Sequence, residues 1–356
     1  MKTIVNVAFL FQLFFVIFVQ SEEKWNSIQE MNGEFEKRFT DKDELSMKEW
    51  NEALPTESER NEMETLIDFL MALSTFENLS STKLLSNYPL LKKSFNITFY
   101  KREYAILHEI YNPEDSLKFK RYFGYAIIAS RSIASKPFLN HAAPHFKFDG
   151  NVCNQSAEIF EKTSSRTLVI AGAHRYAVRD RSPPNPCQSD FAIADPAHNN
   201  LTMFHAFNDA ILSASKRHSE FDKIPYFFIQ WHGMSEESCP NSPAFISCGA
   251  SGNDKIYLNS SLAANKLKFA YGNGAKTPFD DPECNLAATT NVFGRHVDGI
   301  HKNEVCQKSA KNVSGYFIHI EQKKKERNDW NNWIKAVKEA FDLTNTVCKL
   351  NNKTIC

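Results

Sequence analysis

Glycine and cysteine are scarce at the start of this chain: between residues 22 and 130 the only glycines are Gly33 and Gly124, and no cysteine precedes Cys153. Nor is there an excess of either charge, since 42 basic residues balance 42 acidic ones. A chain without a net field has nothing general to offer nucleic acid or an anionic membrane surface, so neither is expected as a partner. No Cys-x-x-Cys pair occurs, which excludes a thiolate zinc finger. The sequence also lacks the Gly-x-Ser-x-Gly elbow of serine hydrolases, Cys248-Gly-Ala-Ser251-Gly252 coming nearest, and it lacks a glycine loop built to cradle phosphate. No internal repeat or low-complexity tract is visible.

What is present points to export. Residues 1–21 carry Lys2, an apolar run from Ile4 to Val19 and the closing Val19-Gln20-Ser21, which reads as a cleaved secretory signal or, since the run is nearly long enough, as a retained anchor, cleavage being the favoured reading. Asn-x-Ser/Thr sequons follow at Asn78, Asn96, Asn154, Asn200, Asn259, Asn312 and Asn352, and any that carry glycan must lie on the surface. The eight cysteines, all between Cys153 and Cys356, read in an exported chain as up to four disulfides whose pairing stays open. The expected product is a secreted, disulfide-bonded glycoprotein with no membrane attachment after signal cleavage.

Composition divides the remainder at about residue 135. Residues 22–135 are dense in Glu, Lys, Leu and Phe, and from Glu57 to Phe76 apolar residues recur at helical spacing, so a helical N-terminal region is expected. In residues 136–356 short apolar runs at Thr167–Ala171, Tyr226–Trp231, Ala244–Cys248 and Tyr316–Ile320 alternate with the helical stretches Gln155–Lys162, Asn200–Ser215 and Asp329–Leu343. That alternation predicts an α/β domain, a mostly parallel or mixed sheet flanked by helices. Functional groups of such sheets sit just beyond the carboxyl ends of strands.

The residues at those places are rich in histidine and carboxylate: His174-Arg175 follows Thr167–Ala171, His232-Gly233 follows Tyr226–Trp231, and Glu321 closes the last run. His145 and Asp149 stand close together in Ala143-Pro144-His145-Phe146-Lys147-Phe148-Asp149, and His232 follows Phe227-Phe228-Ile229-Gln230-Trp231. Two imidazoles and a carboxylate form a donor set that zinc accepts, with a fourth position left for water. An ordinary loop histidine beside a proline is the plainer reading of His145. Glu321 ends the last apolar run, where strand alternation puts Phe317, His319 and Glu321 on one face. It reads either as a general base beside the metal or as a salt-bridge partner of Lys323, Lys324 or Arg327.

These segments resemble the zinc carboxypeptidase superfamily, and within it the N-formylglutamate amidohydrolase-like and poly-γ-glutamate hydrolase-like branch, over roughly residues 140–325. Pro144-His145 with Asp149 resembles the family's first ligand pair, His232 in Gln-Trp-His-Gly its distant histidine, and Ile320-Glu321 its late glutamate. The departures are an aspartate in place of glutamate and a spacing of four residues instead of three. The resemblance implies Zn²⁺ on His145, Asp149 and His232 with Glu321 as catalytic base. It implies a substrate wall of His174, Arg175 and His198, Arg175 holding a substrate carboxylate; Arg295, in the polar stretch Asn291–His296 before the last strand, reads either as a further carboxylate or oxyanion contact on a loop over the pocket or as part of an exposed turn. Asp195 reads as a cap of the helix that follows, and His198 as a wall residue or a replacement for Asp149 on the metal. The expected activity is hydrolysis of amide or peptide-like bonds in a small acidic N-acyl or peptide-like substrate. The competing class is a secreted binding protein that keeps the scaffold without catalysis.

Overall fold

The computed structural model describes residues 25–112, 117–222 and 225–342. The expected signal at 1–21, the sequon at Asn352, and Cys348 and Cys356 lie outside the described residues.

The chain opens with helices α1 (Ile28–Glu36), α2 (Met47–Ala53), α3 (Glu57–Ala72) and α4 (Ser81–Leu85). Each starts on a hydroxyl: Ser27, Ser46, Thr56 and Ser80 accept a backbone N–H of the first turn, and Ser46 with Glu49 and Thr56 with Glu59 form full capping boxes. The expectation of a helical N-terminal region holds here. It fails for residues 95–129, where β1 (Phe95–Tyr100), β2 (Tyr104–Glu109) and β3 (Tyr125–Ala129) are strands. The sheet therefore runs across the compositional boundary near residue 135.

The remaining elements are β4 (Lys136–Ala143), α5 (Val152–Lys162), β5 (Ser165–Ile170), α6 (Met203–Asp222), β6 (Phe227–Trp231), β7 (Ala244–Ser247), α7 (Ala263–Tyr271), α8 (Val292–Val297), β8 (Phe317–Gln322), α9 (Lys324–Arg327) and α10 (Trp330–Ala340). Among the described residues one mixed sheet contains all eight strands, in the order β1-β2-β3-β5-β4-β6-β8-β7. Its centre, β5-β4-β6-β8, is parallel, and antiparallel strands extend it on both sides. Helices α1, α5, α7 and α10 bury one face and α3, α6 and α8 the other, which is the expected α/β arrangement.

Successive crossovers place β5 on one side of β4 and β6 on the other, so connections diverge at the carboxyl end of β4 and leave a crevice there. A segment of the N-terminal region closes one side of it. Thr40 N–H donates to Gly172 C=O (3.0 Å), His174 N–H to Thr40 C=O (2.9 Å), Asp43 N–H to Tyr176 C=O (2.9 Å) and Leu45 N–H to Ala177 C=O (2.9 Å), so residues 40–45 run beside the loop after β5.

Two disulfides occur among the described residues, Cys187–Cys306 and Cys239–Cys284. Cys153 and Cys248 are buried free thiols, so neither contributes to the up to four bridges expected. Among the sequons, Asn78, Asn96, Asn259 and Asn312 are exposed. Asn154 is held between α1 and α5, its Nδ2 donating to Glu36 Oε2 (3.1 Å), which leaves no room for a glycan without breaking that contact. Among the described residues no helix is long and apolar enough to cross a membrane.

Candidate metal centre

Three strand ends supply the centre. His145 lies two residues past β4, His232 directly follows β6, and Glu321 is the penultimate residue of β8. The four-residue spacing between His145 and Asp149 is closed by a turn in which Asp149 N–H donates to His145 C=O (3.2 Å), bringing the second side chain back beside the first. Gly233 permits the approach from β6. A Cβ there would lie 2.7 Å from the Asp149 carbonyl oxygen and 2.6 Å from the Arg327 guanidinium, so no larger residue fits after His232.

The imidazole tautomers follow from the partners of each Nε2. His145 Nε2–H donates to Asp195 Oδ1 (3.0 Å) and His232 Nε2–H donates to Gln230 Oε1 (2.9 Å). His232 then presents an Nδ1 lone pair, and so does His145 whenever its ring is neutral. The two Nδ1 atoms are 3.2 Å apart, and Asp149 Oδ2 lies 3.1 Å from the first and 3.2 Å from the second. Three electron-pair donors facing one another repel unless a cation stands among them. Atoms held about 2.1 Å from a tetrahedral zinc lie about 3.4 Å apart, so the triangle has nearly the dimensions of a ligand set.

Electrostatics agrees with that need. Burial alone would lower the pKa of His145, but the carboxylates of Asp149 and Asp195 outweigh it and push the imidazole up to about 9. A proton thus does in the metal-free protein what a metal ion would do better. Burial opposes the charge of Asp149, yet His145 and His232 hold its carboxyl well below the usual range. Asp195, fully buried, is likewise held down against burial by His145 and Arg175.

Beneath this triangle sit His319 and Glu321, on one face of β8 as strand alternation predicts. The His319 ring centroid is 4.4 Å from that of His232, and its Nε2 is 3.6 Å from Glu321 Oε1. His232, His319 and Glu321 form a second group whose donor atoms lie within 4.8 Å of one another. Burial, with Asp149's charge adding to it, pushes the Glu321 carboxyl up to about 8 against the opposing fields of His145, Arg175 and Arg327. The salt-bridge reading of Glu321 is not what the structure shows for Arg327, whose Nη1 donates to the carbonyls of Met234 (3.2 Å) and Gln322 (3.3 Å).

The expected wall is only partly assembled. Arg175 stands beside the centre but its Nη2 pairs with Asp195 Oδ2, and its guanidinium covers the Phe148 ring at 4.8 Å. Its Nε is buried without an acceptor. His174 accepts the Tyr176 N–H on Nδ1 (3.0 Å) and packs edge-on to Phe148. His198 stacks on Phe191 and donates from Nδ1 to Gln188 Oε1 (2.8 Å), away from the ligand triangle, so it does not replace Asp149. Arg295 is occupied by the carbonyls of Thr289 (3.0 Å), Val305 (2.9 Å) and Cys306 (3.3 Å), and it lines a different cavity of about 170 Å³ beside Asp298. Asp195 does not cap α6; Thr202 does, through His205 N–H (3.2 Å).

Three residues of the centre escaped the sequence reading: Asp195, Gln230 and Asn291, whose Nδ2 donates to Gln230 Oε1 (2.5 Å). Asp195 meets His145 from 50 positions away and Asn291 meets Gln230 from 61, while Gln230 reaches His232 two residues on. The Asp-Pro pair at Asp195 and the polar residue inside the Phe-Phe-Ile-Gln-Trp strand were the available signals.

No protein-family model matches the chain, and no curated protein matches it. Three solved structures resemble it distantly. The gene product Atu2144 of Agrobacterium tumefaciens aligns at TM-score 0.33 and 13% identity, covering 61% of this chain and 91% of that one. A "Putative carboxypeptidase A" of Shewanella denitrificans aligns at 0.31 and 12%, covering 62% of this chain and 61% of the other. The LapA aminopeptidase of Legionella pneumophila aligns at 0.24 and 10%, covering 96% and 76%. At these scores the likenesses carry no argument about activity, and the function rests on the residues of the centre alone.

Proposed function

We propose that this chain is a secreted zinc-dependent hydrolase of amide or peptide-like bonds, with His145, Asp149 and His232 as the metal ligands and Glu321 as the general base. One observation carries the reading: both histidines already donate from Nε2, so two Nδ1 lone pairs and a carboxylate oxygen converge at 3.1–3.2 Å with no hydrogen among them to share except one borrowed by His145. Zinc in a site with three protein ligands polarises a carbonyl and lowers the pKa of its water toward ~7.

The chain's own residues do the rest. Glu321 takes the proton of the attacking water and returns it to the leaving amine. Its high pKa in the bare protein reflects burial first and the charge of Asp149 second, and engagement of Asp149 by a cation removes the second cause. Asp195 fixes the His145 ring, and Arg175 fixes Asp195. Arg175 keeps a buried, unanswered Nε–H, which is a donor for the carboxylate of an acidic N-acyl or peptide-like substrate. Phe148, 47% exposed, marks the side from which such a substrate reaches the centre. Export is supported by the two disulfides and by four exposed sequons.

A second reading is favoured by the burial of the ligands: His145 is 6%, Asp149 2% and His232 2% exposed. A centre so enclosed also suits a binding protein whose ion is structural. The separating experiment is elemental analysis of the purified protein, followed by assays on N-acyl amino acids, γ-glutamyl peptides and C-terminal peptide bonds. One zinc per chain, lost in His145→Ala and His232→Ala, with hydrolysis lost in Glu321→Gln while zinc stays, is the expected result. Zinc without turnover on any of the three classes selects the binding protein, and absence of zinc defeats both.

A further inference from the structure

The two histidines of the centre are oriented by different chemistry. His145 donates to a carboxylate, Asp195, that is itself held by an arginine. His232 donates to a neutral amide oxygen, and nothing in an amide by itself decides which end faces the ring. Gln230 is 1% exposed, so solvent does not decide it either. Its Nε2 is buried without a hydrogen-bond partner, which costs free energy. Something imposes the orientation seen, and the structure shows what it is. Asn291 Nδ2 donates to the same Gln230 Oε1 that accepts from His232 (2.5 Å). Asn291 is in turn fixed, because its Oδ1 accepts Gly294 N–H (2.9 Å) at the start of α8.

The consequence for His232 is a matter of one proton. With Gln230 Oε1 toward the ring, Nε2 must carry the hydrogen and Nδ1 presents its lone pair to Asp149 and His145. With Gln230 turned end for end, its N–H would face Nε2, the ring proton would move to Nδ1, and the ligand position would be blocked. We infer that Asn291 and Gln230 are positioning residues that form a relay, Gly294 N–H to Asn291 to Gln230 to His232, and that this relay selects the metal-binding tautomer of His232. The metal part of the inference rests on the zinc reading above. The tautomer part does not.

Asn291→Asp isolates the relay from a merely structural role. Aspartate caps a helix as well as asparagine, so the Gly294 contact survives, while the donor facing Gln230 becomes an acceptor. Gln230 should then turn, and His232 should change tautomer. The measurement is the pair of ¹⁵N shifts of the His232 ring in labelled, metal-free protein, with zinc affinity from competition against a chelating dye. In the wild type Nε2 is protonated and Nδ1 is not. In Asn291→Asp the assignment reverses and zinc binding weakens about 10–100-fold, the usual effect of removing a ligand's outer partner. Gln230→Glu, which accepts from both neighbours, keeps the wild-type tautomer and an affinity within about threefold.

Should Asn291→Asp not fold, Gln230→Met removes the acceptor directly and is read the same way. Unchanged ring shifts together with affinity within about twofold in the folded variants overturn the relay, as does a wild-type His232 protonated on Nδ1. If the shifts reverse but the wild type binds no zinc, the relay stands and the zinc reading falls.

Discussion

The chain before β4 and the chain from β4 onward are held by different means. The earlier part has no cysteine and relies on capped helices, buried aromatics and ion pairs: Phe35 packs against Trp25, Phe119 and Tyr125 at centroid distances of 5.4–5.7 Å, and Arg121 bridges Glu59 to the carbonyls of Ala53 and Leu54. The later part has the two disulfides found among the described residues, and each ties a loop that leaves the carboxyl side of the sheet. Loops that carry a site are long and poorly packed, so a covalent tie limits their freedom where a core cannot. Yet the difference does not make two independent units. β3 pairs with β5 and residues 40–45 line the loop of His174 and Arg175, so strain in either part reaches the same sheet.

The strongest way to break the comparison is to reduce the disulfides. Cys187–Cys306 closes a separation of 119 residues and Cys239–Cys284 one of 45. Each contributes about 2–5 kcal/mol in the range observed for native bridges. Replacing both pairs by serine should lower the urea midpoint sharply, and it should do so for probes in both halves at once. Separate transitions for the two halves would show that the sheet does not couple them.

Phe35→Ala attacks the other half. The side chain is 1% exposed amid four rings, and such truncations cost about 3–5 kcal/mol. Urea unfolding should again be a single transition at lower midpoint, with the disulfides intact. A loss under about 1 kcal/mol would mean that the aromatic cluster contributes little and that the cysteine-bearing half stabilises the molecule alone.

These expectations depend on features of unequal visibility in the sequence. The runs that became β5, β6, β7 and β8 were visible because each is short, apolar and bounded by turn residues. Strand β4, the middle of the sheet, was not, because Asn140 and His141 interrupt its apolar pattern. Both are satisfied internally: Asn140 Nδ2 donates to Phe227 C=O (3.1 Å), and His141 takes the Trp231 indole N–H on Nδ1 (3.0 Å). Strands β2 and β3 are buried along their whole length, so they show no alternation to separate them from helix. His145 and Asp149 were legible as a closely spaced imidazole and carboxylate, and His232 as the residue that follows an apolar run. The ion pair of Arg175 with Asp195, the stacking of His198 on Phe191 and the carbonyl contacts of Arg295 arise from how the loops fold, and they leave no mark on the apolar pattern of the sequence.

pH sharpens the contrast between the site and the rest of the fold. The pKa of His145 rises from its ordinary 6.5 to about 9 on folding. A group whose pKa is raised contributes stability fully present below pH 6.5 and lost as pH climbs through about 9. The metal-free protein should therefore lose stability between pH 6.5 and 9. Zinc competes with that proton, so its affinity should rise over the same window, by up to tenfold per pH unit. Zinc-saturated protein should keep its midpoint, and His145→Gln should flatten the metal-free curve. Equal pH slopes for the metal-free and zinc-saturated wild type would remove His145 from the ligand set.

The smallest effect tests how far the N-terminal segment belongs to the centre. Ser46 caps α2 directly after the 40–45 segment, and its Glu49 partner reaches Arg179 (3.6 Å) on the loop that follows His174 and Arg175. Ser46→Ala should cost about 1 kcal/mol, the ordinary value of a lost cap. The Glu49–Arg179 pair is exposed, so it adds little. If the 40–45 segment is only a brace, zinc affinity stays within about twofold of the wild type while the urea midpoint falls slightly. A larger drop in affinity would mean that the backbone bonds from Thr40 and Leu45 set the position of Arg175, and through Asp195 the position of His145. The cysteine-free half would then be part of the metal centre despite contributing no ligand to it.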